Sequence, residues 1–173
     1  MENLNRLELV KNEVNKILMN QSDLDLSNRA CIHLNGVAQY CSLLALRRKM
    51  DVEICTIIGL LHDMYTFKYG YAKEHARLGA VEVEELLKKL EVFSVAEIEI
   101  IKNAINYHSN KNIKHDNYCE LIKDADVLQN SIYNNNFEPK HQKRLKKVLR
   151  SLGIKLKSKK ITKIKILQEN DVL

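Results

Sequence analysis

The amino-acid sequence predicts an all-α protein, a compact bundle of about six to seven helices. Of its 173 residues, 45% are hydrophobic and 29% are charged, which is the balance of a globular domain able to bury a core. Only five glycines and one proline are present to interrupt helices. Apolar residues recur every three to four positions along most of the chain, as they do on one face of a helix.

Three helices are predicted in the first third of the chain. The first has one apolar stripe, formed by Leu4, Leu7, Val10, Val14, Ile17 and Leu18. The second runs from about Ser27 to Lys49, and its apolar face includes His33, so this imidazole is expected to point inward. The third, from about Val52 to His62, is apolar nearly all round, which predicts a buried central element.

The middle of the chain is predicted to hold a loop followed by two helices. Residues 64–73 show no helical period, so we expect a loop there. Helical spacing resumes over residues 75–90. Ser94 and Glu97 have the spacing of a capping box, in which each side chain accepts a backbone N–H of the other residue, and they predict the start of a helix ending near His108.

The last third continues with a polar loop over residues 109–117 and a helix that starts near Asp116. Another helix is expected after Pro139, because proline favours the first helical turn. Apolar and polar residues alternate over residues 159–167, a pattern that leaves strand and helix both open.

The net charge of +6 is distributed unevenly. Residues 1–139 carry 16 basic and 20 acidic side chains, whereas residues 140–165 carry 12 basic side chains and no acidic one. The sequence therefore predicts a mildly acidic, histidine-bearing helical domain over residues 1–138, and a basic C-terminal helix with an extension over residues 139–173. A basic segment of this kind is either a solvated amphipathic helix or a surface for an acidic partner.

Several protein classes are excluded by what the sequence lacks. No segment approaches the roughly 18 consecutive apolar residues of a membrane span, and the N-terminus has no apolar signal-peptide core. We therefore expect a cytoplasmic protein with no membrane partner. The cysteines have no C-x-x-C spacing, which argues against a zinc ribbon and a disulfide framework, and we expect buried reduced thiols at Cys31, Cys41, Cys55 and Cys119.

Histidines and carboxylates give the strongest chemical signal. His62 and Asp63 adjoin at the end of an apolar helix, where a charged carboxylate needs a partner or a metal ion. Asp126 follows Ala125 on another largely apolar helix face. His33 by itself fits a buried core imidazole as well as a ligand. Together these side chains form a mixed nitrogen and oxygen donor set suited to a transition metal, with positions left for water or substrate.

Three segments resemble the HD-domain superfamily of metal-dependent phosphohydrolases, over about residues 25–133. They are Arg29-x-x-x-His33, Gly59-Leu60-Leu61-His62-Asp63 and Lys123-Asp124-Ala125-Asp126. The resemblance implies an HD-domain-like helical bundle. It also implies that a metal ion is bound by His33, His62, Asp63 and Asp126. Asp126 is preferred to Asp124 because the family carboxylate follows an alanine.

Two further histidines resemble the two-metal branch of the superfamily, which includes symmetrical diadenosine tetraphosphate hydrolases. His75 opens the segment Glu74-His75-Ala76-Arg77-Leu78-Gly79-Ala80, and His108 ends Ala104-Ile105-Asn106-Tyr107-His108. The resemblance implies that both bind a second metal ion with Asp63 as the bridge. The alternative is that they are helix-terminal histidines with no metal role. His115 is expected at the surface or at the rim of the substrate site, and His141 belongs to the basic segment.

The resemblance implies an enzyme that cleaves a phosphoester or phosphoanhydride of a small nucleotide-like substrate with metal-activated water. Its cofactor would be one or two divalent transition-metal ions, either iron, manganese, cobalt, nickel or zinc. Asp63 would be catalytic and orient the water. The candidate cations for substrate phosphate, each equally open to being a solvated surface residue, are Arg29, Lys68, Lys111 and Lys123.

A second function class is a non-catalytic HD-like protein that binds a nucleotide, or nucleic acid through the basic C-terminal segment. Nucleic acid is not favoured, because no aromatic residue interrupts the 12 cations to stack on bases. Retention on heparin with a steep salt dependence would favour the binding protein. One or two metal ions per chain with phosphatase activity would favour the enzyme.

Overall fold

The structure is a computed structural model and describes residues 5–70 and 73–154. These ranges contain α-helices and no β-strand, so the predicted all-α class is confirmed. None of the described helices is long and apolar enough to cross a membrane. The helices are α1 (Arg6–Met19), α2 (Leu24–Arg48), α3 (Val52–Leu61), α4 (Met64–Tyr69), α5 (His75–Leu90), α6 (Val95–Tyr107), α7 (Asn117–Leu128) and α8 (Gln142–Ser151).

Short polar side chains set where most of these helices begin. The side chains of Asn5, Asp23, Asp51, Ser94 and Asp116 each accept a backbone N–H in the first turn that follows. The cap at Asp23 starts α2 three residues before the predicted Ser27. At Ser94 and Glu97 both hydrogen bonds of the predicted capping box are present.

The loop predicted over residues 64–73 is wrong in its first part, because Met64–Tyr69 forms helix α4. Six residues are too few to display a helical period, whereas the buried side chain of Met64 anchors the helix to the core. Gly70 ends α4 with φ 64°, a left-handed conformation that glycine adopts without strain. Asp63 precedes α4 and makes no capping hydrogen bond, so its carboxylate is available to other partners.

Helix α3 lies at the centre of the molecule and packs closely on α2. A Cβ atom added at Gly59 would lie 2.6 Å from the Cα of Ala38, so only glycine permits this approach of the two backbones. His62 follows Gly59 by three residues and His33 precedes Ala38 by five. The close contact therefore brings the C-terminal end of α3 beside the inner face of α2.

A helix after Pro139 is present, as predicted. Pro139–His141 forms a 3₁₀ turn that leads into α8, and the apolar side of α8 buries Leu145, Val148 and Leu149 in the same core as the preceding helices. The remaining basic residues of the segment 140–165, from Lys155 onward, lie outside the described residues. The alternating stretch 159–167 lies outside them as well.

The cysteines differ from expectation at one position. All four are free, and Cys41, Cys55 and Cys119 are buried, but Cys31 is exposed because it lies on the outer side of α2. Burial raises the pKa of Cys41 well above its usual value and that of Cys55 to about 12. The two buried thiols are therefore unreactive core side chains.

Candidate metal centre

Five side chains from separate parts of the chain converge at one end of the bundle. His33 lies on the inner face of α2, and His62 and Asp63 lie between α3 and α4. His75 is the first residue of α5, and His108 follows the last residue of α6. His33 lies within α2, whereas the other four residues lie at helix ends.

One group of potential ligands contains His33, His62 and Asp63. The Nε2 atoms of the two histidines lie 3.2 Å apart. Asp63 Oδ2 lies 3.5 Å from His33 Nε2 and 3.4 Å from His62 Nε2. Three donor atoms thus surround one point, which is the arrangement that a metal ion requires.

A second group contains His75 and His108, with Asp63 shared between the groups. The Nε2 atoms of these two histidines are also 3.2 Å apart. The other carboxylate oxygen of Asp63, Oδ1, lies 3.4 Å from His75 Nε2 and 3.1 Å from His108 Nε2. The two oxygens of one carboxylate therefore face two different histidine pairs.

The backbone fixes the rings of the two most buried histidines. Nδ1 of His62 lies 2.8 Å from the carbonyl oxygen of Gly59, and Nδ1 of His108 lies 2.7 Å from that of Ile105. A carbonyl oxygen only accepts hydrogen bonds, so we assign the proton to Nδ1 in each ring. Nε2 then presents a lone pair to the centre, as in histidines that bind metals.

This donor set fits a divalent cation. The nitrogen lone pairs of His62 and His108 lie close to the Asp63 carboxylate and to further imidazole nitrogens. Electron-rich groups this close together repel one another unless protons or a metal ion lie between them. His62 and His108 are only 0% and 2% exposed, so water cannot screen the charge. Mixed imidazole and carboxylate ligands are compatible with iron, manganese, cobalt, nickel and zinc.

The pKa shifts follow from burial and from the neighbouring charges. Burial disfavours the charged form of Asp63, but His62, His108 and His33 outweigh it and hold the carboxyl pKa well below its usual value. Burial likewise disfavours protonated His33, yet Asp63 and Asp126 raise its pKa. For His62 burial prevails, and its pKa is lowered. Asp63 is therefore ionised and His62 neutral at neutral pH.

Asp126, the remaining predicted ligand, lies at the edge of the cluster. Its Oδ1 is 3.8 Å from His33 Nε2 and accepts a 2.7 Å hydrogen bond from Asn130, while its Oδ2 is 2.6 Å from Lys111 Nζ. Burial raises the pKa of this carboxyl, but Lys111 and the histidines lower it below its usual value overall. Asp124 points away from the cluster.

The four cations predicted for phosphate binding divide into two pairs. Arg29 and Lys111 line the cavity over the cluster. Lys68 forms an ion pair with Glu82 and does not line it. Lys123 is fully buried elsewhere and donates hydrogen bonds to Ile113 O, Glu120 Oε1 and His115 Nδ1.

The cavity over the cluster has a volume of about 620 Å³. Sequence reasoning missed several of its lining residues, namely Ile32, Phe67, Ser109, Asn130, Tyr133 and Asn134. Asn130 could have been found, because it follows Asp126 by four residues and so shares its helix face. Tyr133 could not have been found, because Gln129–Tyr133 forms a π-helical turn that no sequence pattern predicts. A neighbouring cavity of about 610 Å³ shares Ile32 and Tyr133 as walls.

The fold and the site together define a helical protein with a histidine and aspartate centre able to hold metal ions. The family model of the HD domain matches residues 31–131, and the chain therefore belongs to the HD-domain family. It is a metal-dependent hydrolase. Its family and its histidine and aspartate site support phosphohydrolase activity in general.

A solved structure shares this fold. It is the crystal structure of a predicted HD superfamily hydrolase from an uncultured Thermotogales bacterium, with a TM-score of 0.62 and 22% sequence identity. The alignment covers 88% of this chain and 95% of that one. No curated protein matches the chain significantly.

Proposed function

We propose that this protein is a two-metal phosphohydrolase of the branch that resembles symmetrical diadenosine tetraphosphate hydrolases, and that its substrate is a nucleotide-like phosphoester or phosphoanhydride. One observation carries the proposal: the two carboxylate oxygens of Asp63 face two separate histidine pairs. A carboxylate shared in this way would be able to hold two metal ions together with the two histidine pairs.

Each ligand has a defined place in the proposed centre. His33, His62 and Asp126 would bind one ion, and His75 and His108 would bind the other. Asp63 would contact both. Divalent ions, when bound, polarise phosphoryl oxygens and acidify water for attack on phosphorus. The buried Nδ1 hydrogen bonds of His62 and His108 keep their Nε2 atoms directed at the centre without further ordering.

The chain's own side chains would orient the reactants. Asp63 is ionised and 21% exposed on the cavity side, so it can accept a hydrogen bond from the attacking water and direct its lone pair. Lys111 and Arg29, which line the same cavity, would neutralise the phosphate oxygens.

The cavity supports a substrate of nucleotide size. Its volume of about 620 Å³ lies within the range of small-molecule sites, roughly 300–1,000 Å³. Beyond the cations it offers hydrogen-bonding side chains suited to a sugar or a base, those of Ser109, Asn130, Tyr133 and Asn134. The neighbouring cavity behind Ile32 and Tyr133 gives additional room for a second nucleoside.

The experiment combines metal analysis with a substrate panel. We expect the purified protein to contain one to two divalent ions per chain and to hydrolyse a phosphate ester or anhydride in the presence of manganese, iron or cobalt. His62→Ala and Asp63→Ala should abolish turnover and lower metal content while the helical circular dichroism signal is retained. His141→Ala is the matched control, because this histidine lies outside the centre and pairs with Glu138.

Full turnover by both alanine variants would refute the proposal. For the substrate, the panel compares diadenosine tetraphosphate with nucleoside monophosphates and simple phosphomonoesters. Two molecules of nucleoside diphosphate from each tetraphosphate would support the symmetrical cleavage. Steep salt-dependent retention on heparin without any turnover would favour the non-catalytic binding protein instead.

A further inference from the structure

The loop over residues 109–116 carries Lys111 to the candidate site and is held from behind by a buried charge network. Arg144 of α8 donates from Nη2 to the carbonyl oxygen of Lys111 over 2.8 Å. Lys123 of α7 donates to the carbonyl oxygen of Ile113 over 2.9 Å. Two positions of the loop backbone are therefore fixed by cations that belong to neighbouring helices.

Acidic side chains of α7 hold Arg144 in place. Its Nη1 donates to Asp124 Oδ1 over 2.7 Å, and its Nη2 also contacts Glu120 Oε2 at 3.0 Å. Glu120 in turn accepts from Lys123 and from the backbone N–H of His115. The Arg144 side chain is only 14% exposed, so these bonds are partly protected from water.

The side chain of Lys111 extends from this loop to the candidate metal centre. Lys111 Nζ lies 2.6 Å from Asp126 Oδ2, and its side chain is 14% exposed. A lysine side chain has four rotatable bonds and is flexible. Its ammonium group therefore occupies a defined position only when the backbone that carries it is fixed. That backbone is fixed at the carbonyl group that Arg144 binds.

We propose that Arg144 is a positioning residue for Lys111: it holds the 109–116 loop so that the Lys111 ammonium meets the substrate phosphate beside Asp126. This inference rests on the proposed function, in which Lys111 contacts phosphate. It gives α8 a part in substrate binding although α8 lines neither cavity. The role requires arginine, because one planar group donates in three directions, to Asp124, to Glu120 and to the loop.

The chain offers a matched control in Arg48. Its Nη2 donates to the other oxygen of Asp124 at 2.5 Å, and its side chain is 26% exposed. Arg48→Gln therefore removes an ion pair to the same carboxylate as Arg144→Gln, but it leaves the bond to the loop intact. A role of Arg144 that is limited to its ion pair with Asp124 would affect both variants alike.

The test measures KM and kcat for the phosphate ester turned over fastest in the panel, and the inhibition constant of inorganic phosphate. We expect Arg144→Gln to raise KM and the phosphate inhibition constant about tenfold with a smaller change in kcat, as loss of a charge-assisted contact does. Arg48→Gln should leave both unchanged. Amide hydrogen exchange over residues 109–116 should rise in Arg144→Gln only.

A double-mutant cycle decides whether Arg144 acts through Lys111. If it does, Lys111→Ala combined with Arg144→Gln has the same KM as Lys111→Ala alone, within about twofold. Additive effects, or equal effects of Arg48→Gln, would overturn the proposal.

If Arg144→Gln fails to fold, Arg144→Lys replaces it in the test, because lysine keeps the positive charge but cannot bind all three partners. An unchanged KM in Arg144→Lys would likewise refute the role. Absence of turnover in the unmodified protein refutes the proposed function and this inference with it, whereas turnover with unchanged KM in the variants refutes the inference alone.

Discussion

Asp63 is surrounded by four imidazole rings, and its carboxylate is the shared partner of all of them. Its position between α3 and α4 accounts for this role, since it caps neither helix with its side chain. A buried carboxylate without such partners would have a raised pKa, which favours its neutral form. Here the histidines reverse that effect, and the ionised form is retained for a cation.

Two aspartates of α7 allow a comparison at residue scale. Asp126 faces the cluster and Asp124 faces Arg48 and Arg144, although the two are similarly buried at 4% and 5% exposure. We expect Asp126→Asn to lower metal affinity and activity, in addition to the stability that is lost with its ion pair to Lys111. Asp124→Asn should lower the free energy of unfolding, by roughly 3 kcal/mol as for a broken buried ion pair, and keep the metal.

Elemental analysis and urea unfolding of the two variants measure these effects. The opposite outcome, with metal lost from the Asp124 variant and kept in the Asp126 variant, would mean that the predicted ligand is wrong.

The pKa of His33 gives a pH prediction. Because it is raised above 6.5 in the metal-free protein, part of the His33 population carries a proton near neutral pH that a metal ion must displace. Metal affinity should therefore increase as pH rises through and above 6.5. His62 adds nothing in this window, since its pKa is lowered and its ring is already neutral.

Calorimetric titration of manganese between pH 6 and 8, in buffers of different ionisation enthalpy, would report the released proton. His141→Ala should show the same dependence as the unmodified protein. Affinity that stays constant over this range would contradict the predicted protonation of His33.

At the scale of elements, the site depends on how closely helices approach. Gly59 lets α3 touch the backbone of α2 at Ala38, and one turn further along α3 His62 meets His33. A larger side chain at position 59 would push α2 and α3 apart. His33 and His62 would then be separated as well. Gly59 therefore supports the geometry of the candidate metal centre although it is not a ligand.

Gly59→Ala tests this dependence. Alanine favours a helix over glycine by up to about 1 kcal/mol, but overpacking against a fixed backbone costs about 1–3 kcal/mol. The steric cost should win, so we expect net destabilisation together with weaker metal binding. Gly79→Ala is the control, because its added Cβ would lie 3.3 Å from Tyr65 Cβ and requires a smaller adjustment.

Thermal unfolding and metal titration of both variants distinguish them. Stabilisation of the protein by Gly59→Ala would show that α2 and α3 separate easily and that the close approach is not required.

For the whole molecule, the question is whether α8 belongs to the cooperative fold. Its apolar side completes the core, and Arg144 ties it to α7 and to the loop that carries Lys111. Its outer side carries exposed cations, among them Lys143, Lys147 and Arg150. The basic character of the segment is thus compatible with full integration into the bundle.

Leu149→Ala measures this integration. Leu149 is fully buried, so the substitution should lower the free energy of unfolding by about 2–5 kcal/mol in a single transition. Exposed Lys147 provides the control, and Lys147→Ala should change stability by less than about 0.5 kcal/mol. Two separate transitions would instead support an independent unit beginning near residue 139.

The fold class and most helix bounds were predictable because they depend on local signals, whereas the histidine and aspartate ligand candidates were predicted from the resemblance to the HD-domain superfamily. Apolar periodicity defines α1, α3 and α5, and the polar caps at Ser94 and Asp116 start α6 and α7. Helix α4 and the exposure of Cys31 were not predictable. A six-residue helix and the outward side of one cysteine are decided by what packs against them.

The sequence by itself determined that this chain is helical and that it carries histidine and aspartate side chains able to hold a metal ion, because residue types and their spacing are local properties. Only the tertiary structure decided that Lys111 and Arg29 line the cavity while Lys68 and Lys123 do not. It alone joined Arg144 to the loop of Lys111. These contacts join residues that are far apart in the sequence, so their geometry depends on how whole helices pack together.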